Sequence, residues 1–300
     1  MRIVVVGGTG CLGAPLVARL EALGHLVTVL TRQPRRPREV LWHAADPPAR
    51  VAQVLDDADA LVNLAGAPIA QRWTTSHKAA LWDSRVTLTG RLVEAMRSAR
   101  RAPRLLISGS AVGIYGSRGA EPLTEESASG SGFLASLGAA WEREALAAAP
   151  DARIVLLRTG IVLDRTGGAL PQMARPIRWF VGGPIGSGRQ YLSWIHRDDW
   201  VSMVIWALTN EAVTGALNLT APTPATNLDF TRALGAVLRR PTLLPAPGFA
   251  LRAVLGEMAD MILTGQRVLP AKASRLGFTF QYPDLEVALR VALASAPRRA

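Results

Sequence analysis

Residues 7 to 13 read GGTGCLG, and glycines at this spacing can hold a phosphate group against the backbone. Gly7 permits a tight turn, Gly10 lets the backbone approach a pyrophosphate, and Gly13 lets the next helix pack closely on a sheet. The loop follows an apolar run at the start of the chain and opens a stretch of helix length, as a dinucleotide fingerprint requires. We therefore expect a dinucleotide pyrophosphate at the N-terminus of that helix.

The end of the second apolar run indicates which dinucleotide is bound. Folds specific for NAD carry an acidic residue about 20 residues after the glycine loop, but positions 22 to 38 contain no Asp or Glu. Thr31 and Arg32 end the run, and further arginines follow at Arg35, Arg36 and Arg38. A guanidinium at Arg32 suits the 2′-phosphate of NADP, whereas a solvated basic loop is enough to explain Arg36 and Arg38. The sequence therefore predicts NADP as the cofactor.

Charge and composition argue against several other classes of protein. The 300 residues carry a formal net charge of +11, but the arginines are dispersed, so we expect no nucleic-acid partner. No window approaches the roughly 20 apolar residues of a membrane span, so no membrane partner is expected. Cys11 is the single cysteine; it excludes an intramolecular disulfide, fits the cytoplasm, and is interpreted as a small hydrophobic residue rather than a redox group. The spacing of His, Asp and Glu supports no metal site.

Apolar runs of strand length alternate with amphipathic stretches of helix length across the first half of the chain. The predicted strands are 2–7, 26–31, 60–65, 104–109 and 153–158, and the predicted helices are 11–23, 73–100 and about 133–148. The strands are continuously apolar, which indicates that helices cover both faces of the sheet. This pattern predicts an α/β fold with a Rossmann-type doubly wound parallel sheet.

The composition of the sequence changes at about residue 164, where loops rich in Gly and Pro begin to separate shorter elements. We expect a dinucleotide-binding domain over 1–163, rejoined by about 196–222, and a smaller C-terminal substrate lobe within 164–300. Thr226, with Asp229 three residues later, resembles a capping box at the start of a helix in this lobe.

Further stretches show a family resemblance. NLAG (63–66) and SGSAVGIYG (108–116), together with the glycine loop, resemble the extended short-chain dehydrogenase/reductases of the NAD-dependent epimerase/dehydratase type. RW (72–73), SR (84–85) and GGPIGSGRQYLSWIHRDD (182–199) resemble one atypical group of epimerase-like oxidoreductases, as do NLTAPTPATN (218–227) and a C-terminal stretch that corresponds to a domain of unknown function. The resemblance implies an NADP site lined by Gly7, Gly10, Cys11, Leu12, Gly13, Thr31, Arg32, Leu64, Ala65, Gly66 and Arg85.

The stretch FLASLGAAWERE (133–144) departs from the wider superfamily. Typical members carry Tyr-x-x-x-Lys on this helix, with tyrosine as the acid/base and lysine lowering its pKa and binding the nicotinamide ribose. Counted from Glu142, the tyrosine position is Leu134 and the lysine position is Gly138. The chain's tyrosines are Tyr115, Tyr191 and Tyr282, and the residues four positions later are Gly119, Ile195 and Glu286. The chain therefore contains no Tyr-x-x-x-Lys.

Two residues of the serine-bearing loop are candidates for the missing chemistry. Ser110 is the main candidate hydroxyl, and Tyr115 is the alternative proton donor; His196 is interpreted as structural, because it begins a helix in the relatives. Two functions remain open. The protein is either an NADP-dependent oxidoreductase or epimerase that acts on a small molecule such as a carbonyl or sugar-type compound, or a non-catalytic NADP(H)-binding regulator or redox-sensing interaction protein. The sequence leaves the oligomeric state open.

Overall fold

A parallel sheet of seven strands forms the centre of the molecule in the computed structural model, which describes residues 1–43 and 46–294. The strands are β1 (Arg2–Val6), β2 (Leu26–Thr31), β3 (Glu39–Leu41), β4 (Ala60–Asn63), β5 (Leu105–Ala111), β6 (Arg153–Thr159) and β7 (Gly215–Leu219). Their order across the sheet is β7-β6-β5-β4-β1-β2-β3, and each neighbouring pair is parallel. This arrangement confirms the predicted Rossmann-type α/β fold.

Helices cover both faces of the sheet, which explains the continuously apolar strands. The helices are α1 (Gly13–Ala22), α2 (Pro48–Leu55), α3 (Thr75–Trp82), α4 (Leu88–Ser98), α5 (Phe133–Leu146), α6 (Leu170–Arg178), α7 (Arg197–Thr209), α8 (Asn227–Leu238), α9 (Gly248–Leu255), α10 (Ala259–Leu263), α11 (Ala271–Arg275) and α12 (Leu285–Leu293). On one face α1 and α7 share a core, with Leu16 and Trp200 fully buried. On the other, α2, α4 and α5 bury Leu55, Leu92 and Ala145.

The structure differs from the expected elements in three places. The predicted helix 73–100 is interrupted by a π-helical segment, Asp83–Thr87, between α3 and α4. Strand β3 and helix α2 were not predicted from the sequence, because β3 has three residues and α2 follows a loop containing prolines. The π-helical segment carries Arg85, and such segments are frequent at functional sites.

Beyond β6 the chain builds a smaller lobe from short elements. Strands Ile161–Leu163 and Trp194–His196 pair in parallel, and the lobe core is formed around Trp194, Phe230 and Leu289. The chain returns from this lobe to the main sheet at β7, which pairs with β6, and the later strand Arg267–Val268 pairs with Pro122–Leu123. Among the described residues, no helix has both the length and the apolar character needed to cross a bilayer.

Candidate functional site

The glycine loop lies at the carboxyl end of β1, where its tight turn leaves no room for side chains. Gly7 has a φ of +79°, and the backbone N–H of Gly10 donates to the Gly7 carbonyl at 3.1 Å. A methyl group at Gly13 would overlap the Gly7 carbonyl and lie 2.7 Å from the Gly8 Cα. A methyl group at Gly10 would meet only the Gly7 oxygen, at 3.3 Å. The loop is therefore packed against its own backbone while Gly10 leaves one side open for a ligand.

A cavity of about 740 Å³ extends from the glycine loop past the end of β2. Its lining includes Thr9, Thr31, Arg32, Gln33, Arg35, Arg36, Arg38, Glu39 and His43. Glu39, just beyond the acid-free window, accepts hydrogen bonds at Oε2 from the backbone N–H groups of Arg35 and Arg36, at 2.5 and 3.2 Å. Its carboxylate is thus occupied in shaping the loop. The cavity wall presents guanidinium groups to any ligand that extends from the glycine loop.

The loop after β4 places the next group of predicted cofactor residues beside Arg85. The Leu64 carbonyl carbon would be 2.8 Å from a methyl group on Gly7, and the Ala65 N–H donates to Asn63 Oδ1 at 3.2 Å. Arg85 donates to the carbonyl of Ala67 at 3.0 Å and lies directly against Gly66. Burial lowers the pKa of Arg85 to about 10. The Arg85 side chain therefore stays cationic at neutral pH, where it packs against the loop that follows β4.

Ser110 lies near the end of β5, inside a buried polar network. Its Oγ donates to Glu142 Oε1 at 2.6 Å, and Glu142 comes from α5. Arg158 on β6 holds the same carboxylate with two hydrogen bonds of 2.8 Å, from Nε to Oε1 and from Nη2 to Oε2. All three side chains are largely shielded from solvent. The serine hydroxyl therefore donates to a carboxylate that is also held by the guanidinium of Arg158.

Tyr115 belongs to the same network and is completely buried. Its hydroxyl donates to Asn218 Oδ1 at 2.7 Å and accepts from Arg158 Nη1 at 2.9 Å. Burial raises the pKa of Tyr115, and the neighbouring Arg158 opposes that rise only in part. The Tyr115 hydroxyl thus both donates and accepts a hydrogen bond within the protein, and it links the turn after β5 to β7. This geometry does not favour Tyr115 as the replacement acid. Ser110, which already donates to Glu142, remains a candidate only as a hydrogen-bond acceptor for the substrate.

On α5, the positions where the superfamily carries tyrosine and lysine, Leu134 and Gly138, pack closely against the turn that follows β5. A methyl group on Gly138 would lie 3.0 Å from the Ile114 Cβ, and one on Gly113 would lie 3.3 Å from the Leu134 Cβ. The helix thus approaches the turn Val112–Tyr115 so closely that only a small residue fits at position 138.

The smaller lobe also contacts the dinucleotide-binding half across the cleft. Lys78 on α3 forms an ion pair with Glu257, a residue that sequence reasoning missed. The ring of Phe133 lies 5.2 Å from Lys78 Nζ and 5.4 Å from the ring of Trp73. A second contact joins the smaller lobe to the glycine loop: a methyl group on Gly167 would be 3.0 Å from the Cβ of exposed Cys11. Within the described residues, no group of three or more His, Cys, Asp or Glu could hold a metal ion.

Comparisons with known proteins cover nearly the whole chain. Residues 3–219 match the model of the NAD-dependent epimerase/dehydratase family, and residues 246–292 match a domain of unknown function, DUF1731. The epimerase family protein SDR39U1 homolog of Arabidopsis thaliana chloroplasts is 42% identical over 97% of this chain and 86% of its own. YfhF of Bacillus subtilis is 40% identical over 98% of both chains. The crystal structure of human SDR39U1 with NADPH superposes with a TM-score of 0.89, at 36% identity over 97% of this chain and 99% of that one.

Proposed function

The chain belongs to the NAD-dependent epimerase/dehydratase family, and from that premise we propose that it is an NADP(H)-dependent oxidoreductase or epimerase-like enzyme that works without a Tyr-x-x-x-Lys pair. The family membership makes it an NAD(P)-binding, epimerase-like protein. The observation that carries the finer proposal is the arginine-lined cavity next to the glycine loop. The human relative with bound NADPH supports the same cofactor.

In this proposal the pyrophosphate lies on the open side of Gly10, at the N-terminus of α1. Arg32, which directly follows β2, binds the 2′-phosphate, with Arg35 beside it in the cavity wall. Arg85 borders the cofactor from below Gly66. NADP(H) supplies a hydride when bound, and the chain's own residues position the cofactor and hold protons.

The substrate is a small carbonyl or sugar-type compound bound between the carboxyl edge of the sheet and the smaller lobe. The Ser110 hydroxyl donates its hydrogen bond to Glu142, so its oxygen is left to accept a hydrogen bond from a reacting hydroxyl. Losing a dedicated general acid costs about 10² to 10⁴ in rate. Hydride transfer that depends mainly on positioning survives such a loss at a reduced rate.

The first prediction tests the cofactor. The wild type should bind NADPH more tightly than NADH, and Arg32→Asp should abolish or reverse that preference. A charge-assisted contact to phosphate is worth about 1.5–3 kcal/mol, so NADPH affinity should fall roughly tenfold to a hundredfold, while NADH affinity changes little. Isothermal titration calorimetry with both cofactors measures this. Arg143→Asp, the same charge change at an exposed site on α5, is the control and should leave both affinities unchanged. Equal wild-type affinities for the two cofactors would contradict the assignment.

A second candidate function is favoured by α5. Gly138 is packed against Ile114 and Tyr115 is fully hydrogen-bonded, so the usual acid/base position is closed. These features also fit a protein that binds NADP(H) without turning it over, as a redox-responsive regulator. A screen of carbonyl compounds and sugar nucleotides with NADPH separates the two. Turnover of any compound supports the enzyme, whereas tight NADPH binding without turnover across the whole library supports the regulator.

A further inference from the structure

An exposed apolar surface lies on the smaller lobe, far along the chain from the glycine loop. Trp179, Phe180 and Val181 follow α6 directly, and Leu243 and Leu244 lie in the loop after α8. These five side chains are between 54% and 80% exposed. Isolated exposed apolar residues are ordinary, but a contiguous group of this kind marks an interaction surface.

The two segments lie side by side, which makes the surface continuous. Arg240 stacks its guanidinium over the ring of Phe180, 4.6 Å from the ring centre. The backbone N–H of Leu244 donates to the Gly182 carbonyl at 3.4 Å, and Ala246 donates to Pro184 at 2.9 Å. We call the surface formed by residues 175–181 and 239–244 the apolar–arginine patch.

The two chain segments that form this patch carry charge of only one sign. Residues 165–197 and 230–256 contain no Asp or Glu, and they carry nine arginines: Arg165, Arg175, Arg178, Arg189, Arg197, Arg232, Arg239, Arg240 and Arg252. Arg175, Arg178, Arg239 and Arg240 belong to the patch itself and are exposed. Among the described residues, none of these four is in an ion pair, whereas Arg197 and Arg252 have acidic partners. The patch is therefore an apolar tip surrounded by uncompensated cations.

We propose that the apolar–arginine patch docks the protein on the surface of an anionic phospholipid bilayer. Tryptophan and phenylalanine side chains enter the interface between headgroups and acyl chains, and arginines bind the headgroup phosphates. Three consecutive residues, Trp179, Phe180 and Val181, are apolar and exposed, which suits insertion into the interface of a bilayer. We expected no membrane partner because the sequence shows no spanning segment, but docking on a bilayer surface does not require such a segment.

The charges distinguish this occupant from two others. A second copy of the chain, paired through the same patch, would bring arginines against arginines, which disfavours a symmetric dimer through this surface. An acidic protein would satisfy the arginines, but it would also need an apolar surface that matches the exposed Trp179 and Phe180. A bilayer supplies both negative charge and a deformable apolar layer.

Vesicle flotation of the full chain tests the proposal, using phosphatidylcholine vesicles with and without 30% phosphatidylglycerol. The wild type should float with the anionic vesicles, bind neutral ones weakly, and lose binding as salt is raised. Each basic side chain near an anionic surface contributes roughly fivefold to binding. Arg178→Glu/Arg240→Glu should therefore weaken binding by at least about tenfold. The control Arg19→Glu/Arg143→Glu makes the same charge change at exposed sites elsewhere and should bind nearly as the wild type does.

Insertion of Trp179 into the bilayer is measured separately, by fluorescence quenching. Vesicles with brominated acyl chains should quench the fluorescence of the wild type, and Trp179→Leu should lose most of that quenching while retaining NADPH affinity. If anionic vesicles do not bind the wild type, or bind the Arg178→Glu/Arg240→Glu variant equally well, the proposal is wrong. Binding to soluble polyglutamate without binding to anionic vesicles would overturn it in favour of an acidic protein partner.

Discussion

At the scale of single residues, the hydrogen bond from Ser110 to Glu142 decides what the serine can do. The bond is short, at 2.6 Å, and its acceptor is held by Arg158, so the serine proton points into the protein. Ser110 can then receive a hydrogen bond from the cleft but has no proton of its own to give. The one proton that must accompany the hydride in a carbonyl reduction would then come from another group of the substrate or from water.

Ser110→Ala should lower the free energy of unfolding by about 1.5–3 kcal/mol, because it removes a buried hydrogen bond to a charged group. Turnover of any carbonyl substrate found in a screen should also fall, with NADPH affinity nearly unchanged. Urea unfolding and fluorescence titration measure the two effects. Ser108→Ala is the matched control on the same strand, since Ser108 is buried but bonds only to its neighbour Gly109, at 3.3 Å. Turnover by Ser110→Ala equal to that of the wild type would exclude the serine loop as the reacting centre.

Site residues can be predicted from the sequence when the residues that position them are close in the chain, and not when those residues are distant. The glycine loop and Arg32 are predicted as cofactor residues from local spacing, because the loop and the strand that place them are themselves local. Glu142, Arg158 and Glu257 could not be assigned, since each is defined by a partner at least 16 residues away and an isolated charge looks like a surface charge. Glu39 was missed for another reason: it lies one residue beyond the window in which an acid was sought.

At the scale of elements, α5 retains its place in the fold after the loss of the catalytic pair. Its small residues let the helix approach β5 and the turn after it, and Trp141 packs over Gly109. The predicted helix boundaries agree with the structure within two residues because the apolar pattern is regular. The π-helical segment Asp83–Thr87 could not be predicted, since a local change from α to π hydrogen bonding leaves the helical apolar pattern intact.

Placing a lysine at its usual position in the superfamily should not restore the site. Gly138→Lys should lower the free energy of unfolding by about 1–3 kcal/mol, because its Cβ would be forced against Ile114. Ser136→Lys, on the exposed side of the same helix, should change stability by less than about 0.5 kcal/mol. Thermal and urea unfolding of the two variants provide the comparison. A Gly138→Lys variant as stable as Ser136→Lys would show that the turn yields easily.

His196 caps the N-terminus of α7. The imidazole Nδ1 of His196 accepts a hydrogen bond from the Asp198 N–H, and the ring lies 4.0 Å from that of Tyr282. Burial lowers the pKa of His196, although the nearby carboxylates of Asp198 and Asp199 oppose the shift. The folded protein therefore resists protonation at this site more than the unfolded chain does.

Stability should accordingly fall as the pH drops below the unfolded histidine value of about 6.5, by at most about 1.4 kcal/mol per pH unit from this group. His196→Asn keeps an oxygen that can accept from the Asp198 N–H but removes the titration. Urea unfolding at pH 7.5 and 5.5 should show a smaller loss for His196→Asn than for the wild type. His25→Asn, at a surface histidine, is the control. Equal losses in His196→Asn and the wild type would remove His196 as the cause.

At the scale of the whole molecule, the C-terminal segment is joined to the network beneath the serine loop. Glu125 accepts from the backbone N–H groups of Asn218 and Lys272, at 3.0 and 3.1 Å. The Asn218 side chain donates to the Leu269 carbonyl at 2.9 Å while it accepts from Tyr115. The segment matched by the family model and the segment of unknown function therefore share one polar core.

Glu125→Ala should lower the free energy of unfolding by about 2–3 kcal/mol, because two partly buried N–H groups lose a charged acceptor. Hydrogen exchange should speed up together in β7 and in residues 267–276. Glu126→Ala is the matched control, because Glu126 forms only an exposed ion pair with Arg275 and should cost at most about 1 kcal/mol. Faster exchange confined to one of the two regions would show that they unfold separately.

The shared polar core also fixes when the protein can mature during synthesis. The ribosome releases the glycine loop first, and β1 to β6 are complete by Thr159. The residues that close the network around Glu125, Leu269 and Lys272, are made about 145 positions after it. At 5–20 residues per second this delay is roughly 7 to 30 s. A nascent chain thus carries a finished cofactor loop while Tyr115 and Asn218 still await their last partners, and that interval is when a chaperone would find the sheet edge at β6 and β7 exposed.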